Sequence, residues 1–141
     1  MKPLVFLDSN VFIWGYLRPD SNSAKILGLM DSGKITVVVS EKVIEEIRKY
    51  FITYFDKDVW SSVFAHLSVL VRIVYRGEIG EEKARWKGQI KEKDLEHLAT
   101  AKLLELRYIV SYDDDFEGFV EHRTPKEFIK ELGLKESRTE Y

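Results

Sequence analysis

Short runs of uninterrupted apolar residues alternate along the chain with longer stretches of helical periodicity. Leu4-Val5-Phe6-Leu7, Ile35-Thr36-Val37-Val38-Val39 and Tyr108-Ile109-Val110-Ser111 are too short for helices and suit strands buried on both faces. Helical patterns fall between them: about Ser23 to Met30, closed by Gly33; from an N-cap at Ser40 through Tyr54; about Val59 to Leu70; and Asp94 to Leu106. Val71–Tyr75 reads as a further strand. Thr124-Pro125-Lys126-Glu127 is a capping box with proline at the first helical position, which opens a last helix running to Gly133. Strands that alternate with helices predict an α/β fold, with a mostly parallel sheet covered on both faces. The expected organisation is one domain over residues 1–134 and a frayed tail over 135–141.

Composition narrows the classes. The 141 residues carry 22 Lys plus Arg against 24 Asp plus Glu, so the formal net charge is -2. With 45% hydrophobic and 13% aromatic residues, the chain can build a continuous core and is not disordered. There is no cysteine, which excludes disulfide frameworks, thiolate zinc sites and cysteine nucleophiles. The N-terminal apolar run stops at Asp8, too early for a signal peptide or a membrane span, and a cytoplasmic location is expected. Asn, Gln and Met are scarce beside abundant Glu and Lys, a balance that leans toward a thermophilic source. The near-neutral charge does not advertise a nucleic-acid binder.

Acidic residues follow each of the three clear strands, where ligands bind in parallel sheets. Asp8 ends the first strand, and alone it reads equally well as a helix cap. Glu45 and Glu46 share the helix after the second strand. Glu45 falls opposite the apolar face of Val43, Ile44, Ile47, Phe51 and Tyr54, a solvated position. Glu46 falls roughly 95° from the centre of that face, where it can lean toward the sheet's end. Asp94 starts the following helix, where the dipole alone would favour a carboxylate. Asp113, Asp114 and Asp115 follow the third strand. If that loop is extended, Asp113 and Asp115 point together and Asp114 points away. A cluster of this kind is costly unless it is solvated or binds a cation. Carboxylates without cysteine or a histidine cluster make a hard oxygen site, suited to Mg²⁺ or Mn²⁺ and to in-line phosphodiester hydrolysis.

Five segments in order carry a resemblance to the PIN-domain family, covering nearly the whole chain. They are Val5-Phe6-Leu7-Asp8-Ser9-Asn10-Val11, Ser40 to Ile47, Asp94 to Ala101, Val110-Ser111-Tyr112-Asp113-Asp114-Asp115-Phe116, and Thr124 to Phe128. The chain resembles the VapC-type nucleases in particular. The resemblance implies a three-layer α/β/α fold and Mg²⁺- or Mn²⁺-dependent cleavage of single-stranded RNA. It places the catalytic and metal-binding acids at Asp8, Glu46, Asp94 and Asp113, with Asp115 as a further metal ligand. Ser9, Asn10 and Ser111 fall at auxiliary positions, and Tyr112 stands where the family commonly has glycine. It also implies an antitoxin protein as partner and a homodimer. A non-catalytic PIN module that binds RNA or a protein is the competing reading. A phosphorylated receiver domain would need a lysine after its last strand and an aspartate after its middle strand, an arrangement not found here.

For RNA, the richest basic stretch runs from Arg72 to Lys93 around Trp86, although a solvated helix with Trp86 anchored in the core explains it as well. Arg48 and Lys49 near Glu46 are a second candidate surface. His66, His97 and His122 are too dispersed for a histidine metal site. His97, three residues after Asp94, reads as a packed or surface histidine.

Overall fold

The computed structural model describes residues 2–138. The elements run β1 (Leu4–Leu7), α1 (Ser9–Leu17), α2 (Asn22–Asp31), β2 (Thr36–Ser40), α3 (Glu41–Tyr54), α4 (Lys57–Ser68), β3 (Val71–Val74), α5 (Gly80–Trp86), α6 (Glu92–Leu103), β4 (Tyr108–Val110), β5 (His122–Arg123) and α7 (Pro125–Glu131). The five strands form one sheet in the order β3-β2-β1-β4-β5. Every pairing is parallel, with Phe6 opposite Val38 on one side and Ile109 on the other.

The three apolar runs become the three central strands for the reason their composition suggested. Val5, Phe6, Leu7, Val37, Val38, Val39, Ile109 and Val110 are completely buried, because helices cover both faces of the sheet. Right-handed crossovers put α1 to α4 on one face and α5 and α6 on the other, since the chain reverses direction across the sheet after β3. The helix α7 returns to pack on α2. That reversal makes the carboxyl ends of β1 and β4 the switch point, and Asp8 and Ser111 are the first residues beyond those ends.

Several elements differ from the sequence reading. α1 was not anticipated. Its residues Val11, Phe12, Ile13, Trp14, Tyr16 and Leu17 are apolar around the whole circumference, so no periodic face marks it. β5 is two residues long and polar, and is a strand only through its pairing with β4. α6 starts at Glu92 and ends at Leu103, followed by Glu105 at a φ of 51°. The capping box at Thr124 is formed as read: Glu127 N–H donates to Thr124 Oγ1 at 3.2 Å, and Thr124 N–H donates to Glu127 Oε1 at 2.8 Å. The first residues of the segment expected to fray are held. Ser137 N–H donates to Asn22 Oδ1 at 2.6 Å, and Lys25 Nζ donates to the Lys135 carbonyl at 2.8 Å. Residues 139–141 of that tail lie outside the described residues.

Ser40 joins the sheet to the site. It ends β2 and caps α3, its Oγ accepting from Val43 N–H at 3.1 Å while lying 2.8 Å from His97 Nδ1. Both contacts are buried. Ser40→Ala should therefore cost about 2 kcal/mol, the lost cap together with an unsatisfied ring nitrogen. Chemical denaturation checks this, and a loss below about 0.5 kcal/mol would show that neither contact matters.

Candidate active site

Asp8 ends β1 with its backbone N–H bonded to the Val110 carbonyl of β4 at 3.0 Å. Its carboxylate serves two purposes. Oδ1 caps α1 by accepting from Ser9 N–H at 2.7 Å, and Oδ2 accepts from the Ser111 hydroxyl at 2.7 Å. The cap and the candidate site are the same residue. Ser111 is fully buried, and its Oγ also accepts from Asp113 N–H at 2.9 Å. One hydroxyl therefore fixes the first acid and the backbone of the fourth. Asn10 completes the corner with long contacts, its Nδ2 lying 3.5 Å from Asp8 Oδ2 and 3.4 Å from Ser111 Oγ. Its Oδ1 accepts from Tyr112 N–H at 3.4 Å.

The five expected acids form two groups. Asp8 and Glu46 stand together with His97, and Asp94 stands with Asp113 and Asp115; within each group the ligand atoms lie within 4.8 Å of one another. Glu46 leans over the sheet's end from α3, as its position on the helical wheel suggested. Glu45 is exposed as expected but is not free, since both its oxygens accept from Arg76 at 2.6 and 2.7 Å. Asp113 and Asp115 do point together and Asp114 is exposed, but the backbone there is a 3-10 turn rather than an extended loop. The turn brings Asp115 N–H to within 2.9 Å of Asp113 Oδ1.

His97 is packed, one of the two placements read for it, but its ring reaches the acids, which sequence reasoning did not anticipate. It is buried, and its Nε2 lies 3.0 Å from Glu46 Oε1 and 3.6 Å from Asp8 Oδ1. In the neutral ring the network closes: Ser40 donates to Nδ1 and Nε2–H donates to Glu46. Burial works against the charged ring, but the hydrogen bond to Glu46 and the charges of Asp8 and Glu46 outweigh it, so the pKa of His97 is raised. Burial likewise works to raise Glu46, and the hydrogen bond and charge of His97, helped by Ser9 and Lys42, lower it instead. The signal available in the sequence was helical: Asp94 and His97 are three residues apart, so they share the α6 face turned to the sheet's end.

In the second group a lysine sits among the acids. Lys93 Nζ lies 2.8 Å from Asp113 Oδ2, 3.0 Å from Asp115 Oδ2 and 3.1 Å from Asp94 Oδ2. Lys91 Nζ lies 3.1 Å from Asp115 Oδ1. Hydrogen bonds from Lys93 and Lys91 hold Asp115 well below the usual carboxylate range. Burial pushes Asp94 up to about 6, with Asp115 and Asp113 adding to the effect and Lys93 opposing it. Asp94 Oδ2 is buried without a well-aligned hydrogen-bond donor. Hard oxygen donors, one of them poorly satisfied, suit a divalent cation of the Mg²⁺ or Mn²⁺ type. The first group offers two carboxylates and an imidazole, a set that also accepts Mn²⁺.

Two arginines of the basic stretch after β3 are engaged by acids. Arg76 is forked between Glu45 and Glu96, with its Nε 2.8 Å from Glu96 Oε1, and Arg85 pairs with Glu82 at 2.7 Å. Trp86 is half-buried, with its indole N–H 3.2 Å from Glu82 Oε2 and Lys102 Nζ 4.6 Å from its ring centroid. The anchored reading of Trp86 is the one observed. Beside Glu46, an open cleft of about 370 Å³ is lined by Ile13, Lys49, Tyr50, Thr53 and Tyr54.

A parallel α/β sheet with acids gathered at its switch point defines a class of open-sheet α/β proteins that bind their ligands beyond the carboxyl ends of the strands. Within that class the chain belongs to the PIN-domain family, whose model matches residues 4–115. No curated protein matches the sequence significantly. Solved structures with the same fold include a chain of a toxin–antitoxin complex from Klebsiella pneumoniae, 20% identical, with a TM-score of 0.67 over 87% of this chain and 98% of that one. A chain of VapBC2 from Rickettsia felis, bound to a promoter DNA fragment, is 14% identical, with a TM-score of 0.63 over 86% of this chain and 98% of that one. VapC20 from Mycobacterium tuberculosis, described as a sarcin–ricin loop cleaving toxin, is 16% identical, with a TM-score of 0.60 over 81% of this chain and 93% of that one. Among the described residues no helix is long and apolar enough to cross a membrane.

The His97 environment gives a pH dependence of known sign. Its folded pKa is raised above the ordinary 6.5, so its contribution to stability is complete below 6.5 and is lost as pH rises through the folded value. In chelator, the metal-free chain should lose stability above about pH 6.5, after Asp94 has ionised. His97→Gln should flatten that slope. Denaturation midpoints measured from pH 6.5 to 8.5 decide it, and identical slopes for both proteins would exclude His97 as the titrating group.

Proposed function

We propose that this chain is a metal-dependent endoribonuclease that hydrolyses phosphodiester bonds of single-stranded RNA, acting as the toxin of a toxin–antitoxin pair. The observation that carries this reading is the pairing of Asp8–Glu46–His97 with Asp94–Asp113–Asp115 across the carboxyl ends of β1 and β4. Family membership supports nuclease chemistry, and two structural neighbours, one from a toxin–antitoxin complex and one a sarcin–ricin loop cleaving toxin, support the biological role. On this reading residues 1–134 are one nuclease domain. The partners are RNA, an antitoxin protein and a second copy of the chain, and the setting is the cytoplasm.

Asp8, Glu46, Asp94, Asp113 and Asp115 are the residues that would hold Mg²⁺ or Mn²⁺. A bound divalent ion supplies an activated water and neutralises charge on the phosphoryl oxygens. The chain's own contribution is positioning. Ser111 holds Asp8 and the Asp113 backbone in one frame, Ser9 and Asn10 restrict the Asp8 carboxylate, and His97 orients Glu46. Burial of Asp8 and Asp94 excludes water from one side of the acids and strengthens their field. Two bound ions would bring the net charge from -2 to about +2, removing the repulsion an RNA backbone would otherwise meet. The cleft along α3 places Lys49 beside Tyr50 and exposed Tyr54, a cation next to stacking surfaces, and suits a single strand entering at Glu46.

Asp8→Asn should reduce Mn²⁺-dependent cleavage of single-stranded RNA by at least about 100-fold while the circular dichroism spectrum stays native. Chelator should abolish wild-type cleavage. Equal cleavage by the variant and the wild type, or cleavage that survives chelation, would overturn the metal mechanism. Absence of any Asp8-dependent Mn²⁺ binding would favour a non-catalytic PIN module.

A further inference from the structure

The two acidic groups are neutralised differently. In the first, the partner of Glu46 is His97, which is buried and held on its other side by Ser40. In the second, the partner is the ammonium of Lys93, on a side chain that is 57% exposed. An ammonium has three N–H donors and no acceptor. Here three carboxylate oxygens, one each from Asp94, Asp113 and Asp115, lie 2.8–3.1 Å from it. Nζ donates a well-aligned hydrogen bond to Asp113 Oδ2 and meets the oxygens of Asp94 and Asp115, from two separate segments, as close ion pairs. Lys93 directly precedes Asp94 in the first turn of α6, so its backbone cannot move away without carrying a ligand with it. Its side chain can leave, because more than half of it already faces solvent.

We propose that Lys93 is a built-in counter-ion that occupies the Asp94–Asp113–Asp115 seat until a divalent ion displaces it, and so sets the metal affinity of that half of the site. This rests on reading the site as a divalent-metal centre. A metal bound through the same three oxygens leaves no room for the ammonium, so the two cations are mutually exclusive. Without Lys93 the metal-free chain would hold three carboxylates within 4.8 Å of one another with only rim-bound Lys91 to offset them. Lys93 therefore stabilises the empty site and weakens metal binding by the same interaction. In the first group the neutralising partner is the buried His97 ring, so this competition belongs to the Asp94–Asp113–Asp115 half.

The test is Mn²⁺ titration of the full chain, followed by the EPR signal of free Mn²⁺ at fixed pH and ionic strength. Wild type is compared with Lys93→Met, Lys93→Gln, Lys91→Met and Lys57→Met. Lys57 opens α4, beyond the far end of the 14-residue α3, about 20 Å from the site, and reports the effect of net charge alone. Both Lys93 variants should bind Mn²⁺ about tenfold more tightly at the Asp113-dependent site, the worth of one close charge pair in water. Lys91→Met should gain less and Lys57→Met should stay within about twofold. In chelator the Lys93 variants should melt at lower temperature than wild type, and Mn²⁺ should restore them. Unchanged or weaker Mn²⁺ binding in both Lys93 variants overturns the proposal, as does a gain matched by Lys57→Met. If Asp113-dependent Mn²⁺ binding persists in the wild type while those results are obtained, only the counter-ion proposal falls. If wild type shows no Mn²⁺ binding that Asp8→Asn or Asp113→Asn removes, the nuclease reading falls with it.

Discussion

Five carboxylates converge on the carboxyl ends of β1 and β4, and their mutual repulsion is the constraint that the rest of the site answers to. The protein does not disperse them. It meets each group with a positive or polar partner drawn from the same helix, α6. His97 reaches Glu46 on one side and Lys93 reaches Asp94, Asp113 and Asp115 on the other. The helix thus supplies one acid and both counter-charges. Its position over the sheet is fixed by burial of Leu95, Leu98, Ala99 and Ala101. Apolar packing and electrostatic balance are one arrangement here, since moving α6 would expose the core and uncouple the acids together.

Two serines transmit the sheet's geometry into the site. Ser40 leaves β2, caps α3 and contacts His97; Ser111 leaves β4, donates to Asp8 and accepts from the Asp113 backbone. Both are fully buried, and both are the last or next residue of a central strand. A small hydroxyl suits such a place because it donates and accepts at once without adding bulk. Neither serine carries chemistry itself. Each converts a strand register, set by Val, Ile and Phe packing, into a side-chain position. A second network at the rim does the same for α3, where Arg76 joins Glu45 to Glu96 and its backbone N–H reaches Glu41 Oε2 at 3.1 Å.

The legible parts of the fold were those where one physical pattern dominates. Buried apolar runs announced β1, β2 and β4, and a capping box announced α7. α1 was hidden because it is apolar all round, and β5 because pairing rather than composition makes it a strand. In the site, the gathering of the acids at the sheet's end was legible from their places after strands and on a helical wheel, with Glu46 leaning in and Glu45 facing out. Their division into two groups was not, because it depends on how α6 sits over the sheet. The packing of His97 was legible but its partner was not, because Glu46 lies 51 positions earlier. The lysines at 91 and 93 looked like part of an RNA-binding surface. In the fold they turn back onto acids that follow a strand some twenty residues later. Charge counts cannot distinguish a lysine that faces a partner from one that faces the chain's own carboxylates.

On this reading the two acidic groups form a centre for divalent cations, with Lys93 as the occupant of one of them. Anomalous scattering from a crystal grown with Mn²⁺ examines this directly. Manganese peaks are expected between Asp8 and Glu46 and among Asp94, Asp113 and Asp115, with the Lys93 side chain turned out to solvent. Crystals without manganese at either group, or with Lys93 still seated on all three carboxylates beside a bound ion, would contradict it.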